Sequence, residues 1–363
     1  MSSRLSVLAL TVRPEEAPDT RYRILQYVEP LRAEGIDVLH RSLLSPRTWR
    51  AQVDGGDAVR LAAGFAAGYA RRLRDILALA RSCDVVWIGR ELCPLGPPLL
   101  ERLLFSVNPR VVLDIDDAVF LHDGTCKGIL HHRGRDFGKF FRLAPRYSAV
   151  VCGNRFLSGH FSAYTPNVFV IPTVVPMSRF GPLAPQPAPR PRIGWIGTPY
   201  SGAHLELLAE AMPVLARRHD FELRVVGLGR PLAWPGVRVV DVAWSLREEL
   251  DFFRTFDIGV MPLRDSPFSR GKCAFKLIQY MAAGLPVVAS PVGANLDVVI
   301  DEKNGFFADS AREWTDRLDR LLSDAELRRS MGENARETVR AAFSLEAHVP
   351  GYAGILRRAH RHA

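Results

Sequence analysis

Short runs of Val, Ile and Leu alternate with longer amphipathic stretches along almost the whole chain. Continuous apolar runs of this length are typical of strands that helices cover on both faces, as in a parallel sheet. The predicted strands are LSVLALTV, IDVLH, CDVVWIG, RVVLDID, AVVCGN and VFVIPT in the first half, and PRIGWIG, ELRVVGLG, VRVVDVA, FDIGVMPL and LPVVASP in the second. Stretches such as 23–34, 60–81, 246–255 and 275–283 have helical periodicity. The pattern predicts α/β architecture with doubly wound parallel sheets.

A proline-rich segment separates the two halves of this pattern. Proline donates no backbone hydrogen bond and restricts the residue before it, so the segment is expected to lie outside core strands and helices. We therefore predict an N-terminal domain over residues 1–172, a semi-rigid linker over 173–191 and a C-terminal domain over 192–344. The tail over 345–363 either frays or forms a helix, broken at Pro350, that packs back on the N-terminal domain.

Composition narrows the class of protein. With 363 residues, 47% of them hydrophobic, the chain is long enough for two globular domains and too apolar to be disordered. Its five cysteines are widely spaced, which argues against a zinc site or a disulfide framework and fits a cytoplasmic protein. We find no run of about 18 uncharged apolar residues, so no membrane-spanning helix is predicted.

The net charge of +9 is uneven. Residues 1–180 hold 24 basic and 17 acidic residues, a net +7, whereas residues 181–363 hold 24 and 22, a net +2. Such an excess is compatible with nucleic acid, an anionic membrane, phosphorylated ligands or simply an arginine-rich surface. No helix-turn-helix, RNA-binding or zinc-finger signature accompanies the charge, so no nucleic-acid partner is expected.

The segment DSPFSRGKCAFKLIQYMAAGLPVVASPVGANLD, residues 265–297, carries the clearest chemistry. A basic loop with Arg270 and Lys272 leads into a predicted helix that begins near Lys276. Free N–H groups, the helix dipole and nearby cations together favour an anion such as a diphosphate. The turn SPVGAN after the next strand offers further N–H groups. A solvated helix start is the simpler alternative.

Within this segment, KLIQYMAAGLPVVASPVG resembles the donor-binding signature of the retaining GT-B glycosyltransferases of family 4. Other stretches that resemble a branch of this family are TRYRILQY, WIGRELCPLGPP, VVLDIDDAVF, AVVCGN and RIGWIGTP. The resemblance implies two Rossmann-like domains that face a cleft. It also implies a nucleotide-sugar donor on the C-terminal domain, an acceptor on the N-terminal domain, and neither a resident cofactor nor an essential metal.

Carried over residue by residue, the resemblance implies a donor site. Gln279 takes the place of the family glutamate that binds the donor ribose, and Gly271 replaces the other acidic residue. The turn GTPYSGAH lacks the usual Arg/Lys pair, so the charge for the diphosphate is expected from Lys276, Lys272 or Arg270. The other donor-binding residues implied are Gly197, Thr198, Val242, Ala243, Val292, Gly293 and Ala294.

Two polar groups follow predicted strands of the N-terminal domain, where ligands of such sheets bind. Arg90 and Glu91 follow VVWIG, and Asp116 and Asp117 end VVLDIDD. We assign these four residues, with Lys276, as catalytic candidates. Carboxylates are ligands for hard cations, but the resemblance favours hydrogen bonds to acceptor or sugar hydroxyls instead of a metal. An ordinary surface ion pair is the alternative for Arg90 and Glu91.

Three further residues are candidates for acceptor binding. Arg21 and Arg23 follow the first predicted strand, where a surface role at a helix start is equally compatible with the sequence. His122 lies just beyond DIDD, and a structural role is its alternative.

The function that these features imply is retaining transfer of a sugar from a nucleotide diphosphate sugar to a hydroxyl acceptor, as in polysaccharide biosynthesis. The acceptor is a cell-surface glycan, a glycolipid or a metabolite. The +7 charge leaves open an anionic or lipid-linked acceptor and peripheral contact with the inner face of a membrane. Two alternatives remain, a catalytically inactive GT-B module that binds sugar or nucleotide, and a nucleotide-sugar epimerase. The oligomeric state is not predicted.

Overall fold

The computed structural model divides the chain into two compact units. The N-terminal unit comprises Met1–Thr173 together with His348–Ala363, and the C-terminal unit comprises Val174–Ala347. The residues described below are 4–53, 55–121, 134–180 and 186–361.

A six-stranded sheet, all parallel, forms the centre of the N-terminal unit, in the order β2-β1-β3-β4-β5-β6. Its strands are β1 (Leu5–Thr11), β2 (Ile36–Ser42), β3 (Val85–Gly89), β4 (Val111–Ile115), β5 (Ala149–Cys152) and β6 (Val168–Val170). Strands β3, β4 and β5 are buried along their whole length, as expected where helices cover both faces.

The helices of this unit connect successive strands. A short turn (Pro18–Thr20) and a π-helical turn (Arg21–Leu25) precede the first of them. The helices are α1 (Gln26–Ala33), α2 (Pro46–Val53), α3 (Ala58–Asp75), which a π-helical turn (Ile76–Ala80) continues, α4 (Leu99–Val107), α5 (Lys139–Leu143), which a 3-10 turn (Ala144–Arg146) continues, and α6 (Arg155–Ser162).

The C-terminal unit repeats this architecture with a six-stranded parallel sheet in the order β12-β11-β10-β7-β8-β9. Its strands are β7 (Arg192–Ile196), β8 (Glu222–Val226), β9 (Arg238–Val242), β10 (Ile258–Met261), β11 (Val287–Ala289) and β12 (Gly305–Phe307). Its helical elements are two 3-10 helices (Ser201–Leu208 and Asp251–Thr255), α7 (Ala211–Ala216), α8 (Pro267–Arg270), α9 (Phe275–Ala282), α10 (Asn295–Val298), α11 (Ala311–Ser323) and α12 (Ala325–Ala342). A last helix, α13 (Leu345–Arg361), begins in this unit and continues into the N-terminal one.

The predicted α/β class with two doubly wound parallel sheets is confirmed, and the differences are local. The sequence pattern missed β12, which has only three residues. It predicted a helix over 246–255, where the structure has only a 3-10 turn (Asp251–Thr255). The predicted break at Pro350 is wrong, because α13 continues through this residue.

The start of the segment predicted as a linker packs into the C-terminal unit. Val174 and Val175 are buried. The Val175 N–H donates to the carbonyl oxygen of Phe343 at 3.1 Å, and its own carbonyl oxygen accepts from the Leu345 N–H at 2.9 Å. This backbone pairing fixes the segment beside the end of α12.

None of the helices in the described part of the chain combines the length and the hydrophobicity that a lipid bilayer requires of a spanning segment.

Candidate functional site

The ends of three neighbouring strands meet at the carboxyl edge of the C-terminal sheet. A Cβ on Gly227, just after β8, would lie 2.5 Å from the Gly197 carbonyl oxygen and 3.1 Å from the Trp244 Cβ. Gly227 has a φ of +78°, a left-handed conformation that glycine adopts without strain. This close approach brings the predicted donor residues Gly197, Val242 and Ala243 to one edge, where ligands of doubly wound sheets bind.

Lys276, in the first turn of α9, lies over this edge without a counter-charge. Its Nζ is 5.0 Å from the ring centroid of Trp195, the last but one residue of β7. The side chain is half-buried, and it forms no hydrogen bond or ion pair with any residue that the structure describes. Burial, together with the neighbouring charge of Lys272, lowers the pKa of Lys276 to about 7. An anion bound here would restore the charged form.

Of the other two predicted cations, Arg270 is already paired. Its Nε and Nη2 donate to the two carboxylate oxygens of Asp265 at 2.7 and 2.6 Å, and both side chains are 52% exposed. Lys272 lies over the ring of Phe268 at 4.8 Å and adds to the positive charge near Lys276. We therefore place Lys276 ahead of Arg270 as the principal cation of this edge.

The turn after β11 lies against α8 and presents unsatisfied N–H groups. Gly293, with a φ of +56°, has no room for a side chain, because a Cβ would be 2.7 Å from the Arg270 carbonyl oxygen. Within the described ranges the N–H groups of Gly293 and Ala294 have no hydrogen-bond acceptor. Asn295 fixes the turn by donating from Nδ2 to the Ser290 carbonyl oxygen at 2.9 Å. The turn, which includes the predicted Val292, thus offers two N–H donors to a ligand.

Gln279 is buried on the same helix, three residues after Lys276, and so on the same face. It is 4% exposed, and its Nε2 has no hydrogen-bond partner in the described part of the protein. A buried amide donor without an acceptor is costly and rare in native proteins. A ligand oxygen would satisfy this donor, and the amide would bind it without contributing a charge.

The turn after β7, predicted to bind the donor, has fewer N–H groups available to a ligand than its sequence suggested. The Gly197 N–H donates to the Val226 carbonyl oxygen at 3.0 Å, and the Thr198 N–H donates to the Ser201 Oγ at 3.0 Å. A Cβ on Gly197 would lie 2.4 Å from the Trp195 ring. Gly197 therefore lies against the same ring as Lys276, but its N–H and that of Thr198 are engaged within the protein.

In the N-terminal unit, Arg90 lies at the carboxyl edge of the sheet, directly after β3. It adopts the left-handed conformation with a φ of +68°, which is uncommon for a residue with a side chain. Its guanidinium donates to Asp116 at 3.0 Å and to Asp117 at 3.2 Å, and it lies 3.8 Å from Asp19. The structure thus brings three of the predicted residues together and adds Asp19.

A small pocket that is open to solvent lies beside this Arg90 cluster. Its lining residues come from the ends of β1, β3 and β4 and from the start of the first helical stretch. They are Thr11, Asp19, Thr20, Arg23, Gly89, Arg90, Asp114 and Asp116.

Groups of opposite charge stabilise one another in this cluster. Burial opposes ionisation of Asp19, but Arg13 and Arg90 outweigh it and lower its pKa. Burial likewise opposes the charge on Arg90, yet the surrounding carboxylates of Asp116, Asp19 and Asp117 raise its pKa above the ordinary value. The charged forms of Asp19 and Arg90 are therefore stabilised by neighbours of opposite charge, in contrast to Lys276.

Arg23 was predicted to contact the acceptor, but its side chain is buried and bonded within the protein. Its side chain is 2% exposed, and it donates from Nε and Nη2 to the two carboxylate oxygens of Asp114 at 2.8 and 3.1 Å. Nη1 donates to the Ile171 carbonyl oxygen at 2.9 Å and to the Thr173 Oγ1 at 3.5 Å, while Nη2 also donates to the Tyr352 hydroxyl at 2.9 Å. Because all five N–H donors of a guanidinium are used, Arg23 is structural.

Glu91 does not join its neighbour Arg90. It is buried, and its Oε1 accepts from Arg135 at 2.8 Å while its Oε2 lies 3.8 Å from the Lys139 Nζ. Lys139 in turn donates to Glu101 at 3.0 Å. Glu91 thus belongs to a separate buried charge cluster and is removed from the catalytic candidates.

Of the remaining acceptor candidates, Arg21 is half-buried and donates to the Glu16 carbonyl oxygen at 2.7 Å. It also lies over the Tyr22 ring at 5.3 Å. His122 lies outside the described residues.

Two residues of these clusters escaped the sequence analysis. Asp19 follows a proline in the loop after β1, and its position at a strand's carboxyl end was the available signal. Tyr352 donates its hydroxyl proton to Asp114 from α13, more than 200 positions along the chain. No local pattern connects a tyrosine in the tail with the end of β4.

Comparison with known proteins finds a family model that matches part of the C-terminal unit. Residues 190–324, just over a third of the chain, match the family described as Glycosyl transferases group 1. An uncharacterized glycosyltransferase of Methanocaldococcus jannaschii is 30% identical over 154 residues, which cover 39% of this chain and 38% of that protein. The chain spans less than half the length of the curated relatives that it matches.

Solved structures resemble the whole chain. A glycosyltransferase from Rickettsia africae is similar with a TM-score of 0.70 and 14% identity, covering 99% of this chain and 100% of that one. The HepE protein of Anabaena, in complex with UDP and glucose, is similar with a TM-score of 0.66 and 15% identity, covering 97% and 99%. At these identities the likeness shows the fold alone, which is that of GT-B glycosyltransferases.

Proposed function

We propose that this protein is a retaining glycosyltransferase that moves a sugar from a nucleotide diphosphate sugar to a hydroxyl acceptor. The segment that matches glycosyl transferases group 1 contains β7, Lys276, Gln279 and the turn after β11. The named relative is a glycosyltransferase, and a structural neighbour was solved with UDP and glucose. These findings support a donor site on the C-terminal unit.

The observation that carries the proposal is the uncompensated Lys276. An amine with a pKa of about 7, no acidic partner among the described residues and a second lysine nearby is poorly stabilised in the free protein. Two unsatisfied N–H groups and a buried amide donor lie on the elements beside it. A diphosphate is an anion large enough to engage a cation and several N–H donors together.

In the proposed reaction, the bond between the anomeric carbon and the donor phosphate oxygen breaks. A new bond forms between this carbon and the acceptor oxygen on the same face of the sugar, and the acceptor proton passes to the departing phosphate oxygen. Lys276, Lys272 and the loop N–H groups stabilise the negative charge that develops on the diphosphate. This chemistry calls for neither a resident cofactor nor a metal.

For the acceptor we propose the pocket of the Arg90 cluster. The carboxylates of Asp19 and Asp116, which line this pocket, can accept hydrogen bonds from hydroxyl groups, and Arg90 holds Asp116 in place. The net charge of the N-terminal half would suit an anionic or lipid-linked acceptor whose phosphate lies outside this pocket, while its reacting hydroxyl lies inside.

The test is calorimetric binding of a panel of nucleoside diphosphates, nucleoside monophosphates and nucleotide sugars. We expect at least one nucleoside diphosphate to bind in the micromolar to low millimolar range and the matching monophosphate to bind more weakly. Lys276→Met should abolish this preference, whereas Lys303→Met, an exposed lysine of the same unit, should not. If no diphosphate binds, the proposed donor site is wrong.

A second assay separates an enzyme from an inactive binding module. The donor that binds best is incubated with the protein, and release of its nucleoside diphosphate is followed with and without candidate acceptors. Release that depends on Lys276 supports transfer. Binding without release in the presence of any acceptor would favour the inactive module instead.

A further inference from the structure

The outward face of α3 lacks the polarity that is usual for a solvent-exposed helix. Its exposed positions include Val59, Leu73 and Leu77, where Leu77 lies in the π-helical turn that continues the helix; Val59 is 76% exposed and Leu77 54%. Alanines 62, 63, 66, 67 and 70 are exposed between them. We call this surface the α3 face. A surface helix normally directs charged and polar residues to water.

Helix α12 has the same length of 18 residues and shows the usual arrangement. Its outward positions carry both signs of charge in ion pairs, Glu326 with Arg329 and Glu337 with Arg340. The exposed charges of the α3 face are all positive, namely Arg60, Arg74 and Arg81. The only carboxylate between positions 58 and 81 is Asp75; it is buried, and the exposed guanidinium of Arg74 lies 3.7 Å from it.

The orientation of α3 is fixed by its inner side, so the apolar face cannot turn inward. Gly68 lies close to the loop that follows β2. A Cβ on this glycine would be 2.7 Å from the Leu43 carbonyl oxygen. Tyr69 donates its hydroxyl proton to the Leu95 carbonyl oxygen at 2.6 Å, and Arg72 is buried and donates to the Thr11 carbonyl oxygen. The outward face is therefore a fixed feature of the unit.

We propose that the α3 face binds the surface of an anionic lipid bilayer. Exposed apolar side chains can enter the boundary between headgroups and acyl chains, and the flanking arginines are attracted by anionic headgroups. A second copy of this chain fits less well, because it would bring two all-positive faces together. This inference does not depend on the proposed function.

The test is sedimentation of the full chain with vesicles of phosphatidylcholine alone and of phosphatidylcholine mixed with phosphatidylglycerol. We expect binding to the mixed vesicles, loss of binding at high salt, and little binding to phosphatidylcholine alone. Removing two charges with Arg60→Ala and Arg81→Ala should weaken binding about 25-fold, at about fivefold for each arginine. Leu77→Glu should also weaken it, since an acid would enter the apolar face.

Two substitutions on the C-terminal unit serve as matched controls. Ile300→Glu adds an acid at a comparably exposed apolar position, and Arg312→Ala removes a highly exposed arginine. Both should bind vesicles like the unaltered protein, and urea unfolding midpoints should show that all variants remain folded.

Three results would overturn the proposal. The first is absence of binding to the mixed vesicles, and the second is equal binding by the α3-face variants and the controls. The third is a lipid-independent dimer, seen by light scattering, that the α3-face substitutions dissociate, because the face would then bind a second copy of the chain.

Discussion

Each of the two sheets has a principal cation at its carboxyl edge, and the two cations differ in the acidic partners that surround them. In the N-terminal unit, Arg90 lies among three carboxylates, and Arg23 beside it is saturated by Asp114 and Tyr352. In the C-terminal unit, Lys276 lies over an aromatic ring, with another lysine nearby and no acidic partner in the described residues.

This difference in pairing predicts different roles for the two cations, one in the stability of the fold and the other in ligand binding. Removing the partner of a buried, paired charge is costly, because it leaves an uncompensated charge in the interior. A half-buried charge without a partner contributes little to folding but leaves interaction energy for a ligand. We therefore expect substitutions that break the buried Arg23–Asp114 pair to change unfolding, and those at Lys276 to change ligand binding and turnover.

The largest effect on stability is expected from Asp114→Ala. This change leaves the buried guanidinium of Arg23 without its counter-charge, which should lower the free energy of unfolding by about 3–5 kcal/mol. Urea denaturation followed by circular dichroism measures the loss. Asp37→Ala is the matched control, because it removes an exposed partner of Arg4 and should cost less than about 1 kcal/mol. Equal losses for the two variants would contradict the contrast.

Lys276→Met should have the opposite profile. Methionine is also an unbranched side chain and removes the charge that lies over the Trp195 ring, so turnover should fall by about 10²–10³-fold while the free energy of unfolding does not decrease. Product formation and urea denaturation on the same preparation provide both values. A stability loss comparable to that of Asp114→Ala would mean that Lys276 is a structural residue.

A smaller effect is expected from Tyr352→Phe. The hydroxyl donates to Asp114 and accepts from Arg23, and hydrogen bonds to charged groups contribute about 1.5–3 kcal/mol. The free energy of unfolding should fall by this amount, and amide hydrogen exchange should increase in α13. Unchanged exchange there would show that other contacts hold this helix.

The smallest predicted change is a dependence of donor affinity on pH. Because the pKa of Lys276 is about 7 without ligand and a bound anion raises it, binding takes up a proton above this pH. The affinity for a nucleoside diphosphate should therefore weaken as pH rises above about 7, by at most about tenfold per unit. Calorimetry across this range measures it, and Lys276→Met should have a flat profile.

Most of the architecture could be predicted from the sequence, because parallel strands that are buried on both faces consist of continuous apolar runs. The sequence also predicted the segment from Arg270 to Ala294 as an anion site, since a basic loop, a helix start and a glycine turn are adjacent in the chain. It erred where partners are distant. Nothing near Arg23 showed that Asp114 and Tyr352 would saturate it, and nothing near Glu91 indicated Arg135 and Lys139.

The sequence also could not show which of three neighbouring cations remains available. The sequence presents Arg270, Lys272 and Lys276 as equally possible cations for the anion. In the structure Arg270 pairs with Asp265, whereas Lys276 has no acidic partner among the described residues. Which cation lacks a partner depends on side-chain geometry, and spacing alone does not determine it.

The most direct test of the uncompensated lysine is its own titration by NMR, in protein labelled with ¹³C at lysine Cε. The chain has only five lysines, and Lys276→Met assigns the signal. We predict a pKa of about 7 in the free protein and a clear increase when a saturating nucleoside diphosphate is added. A pKa near the ordinary lysine value, or one that the nucleotide does not change, would contradict the assignment of Lys276 to the donor diphosphate.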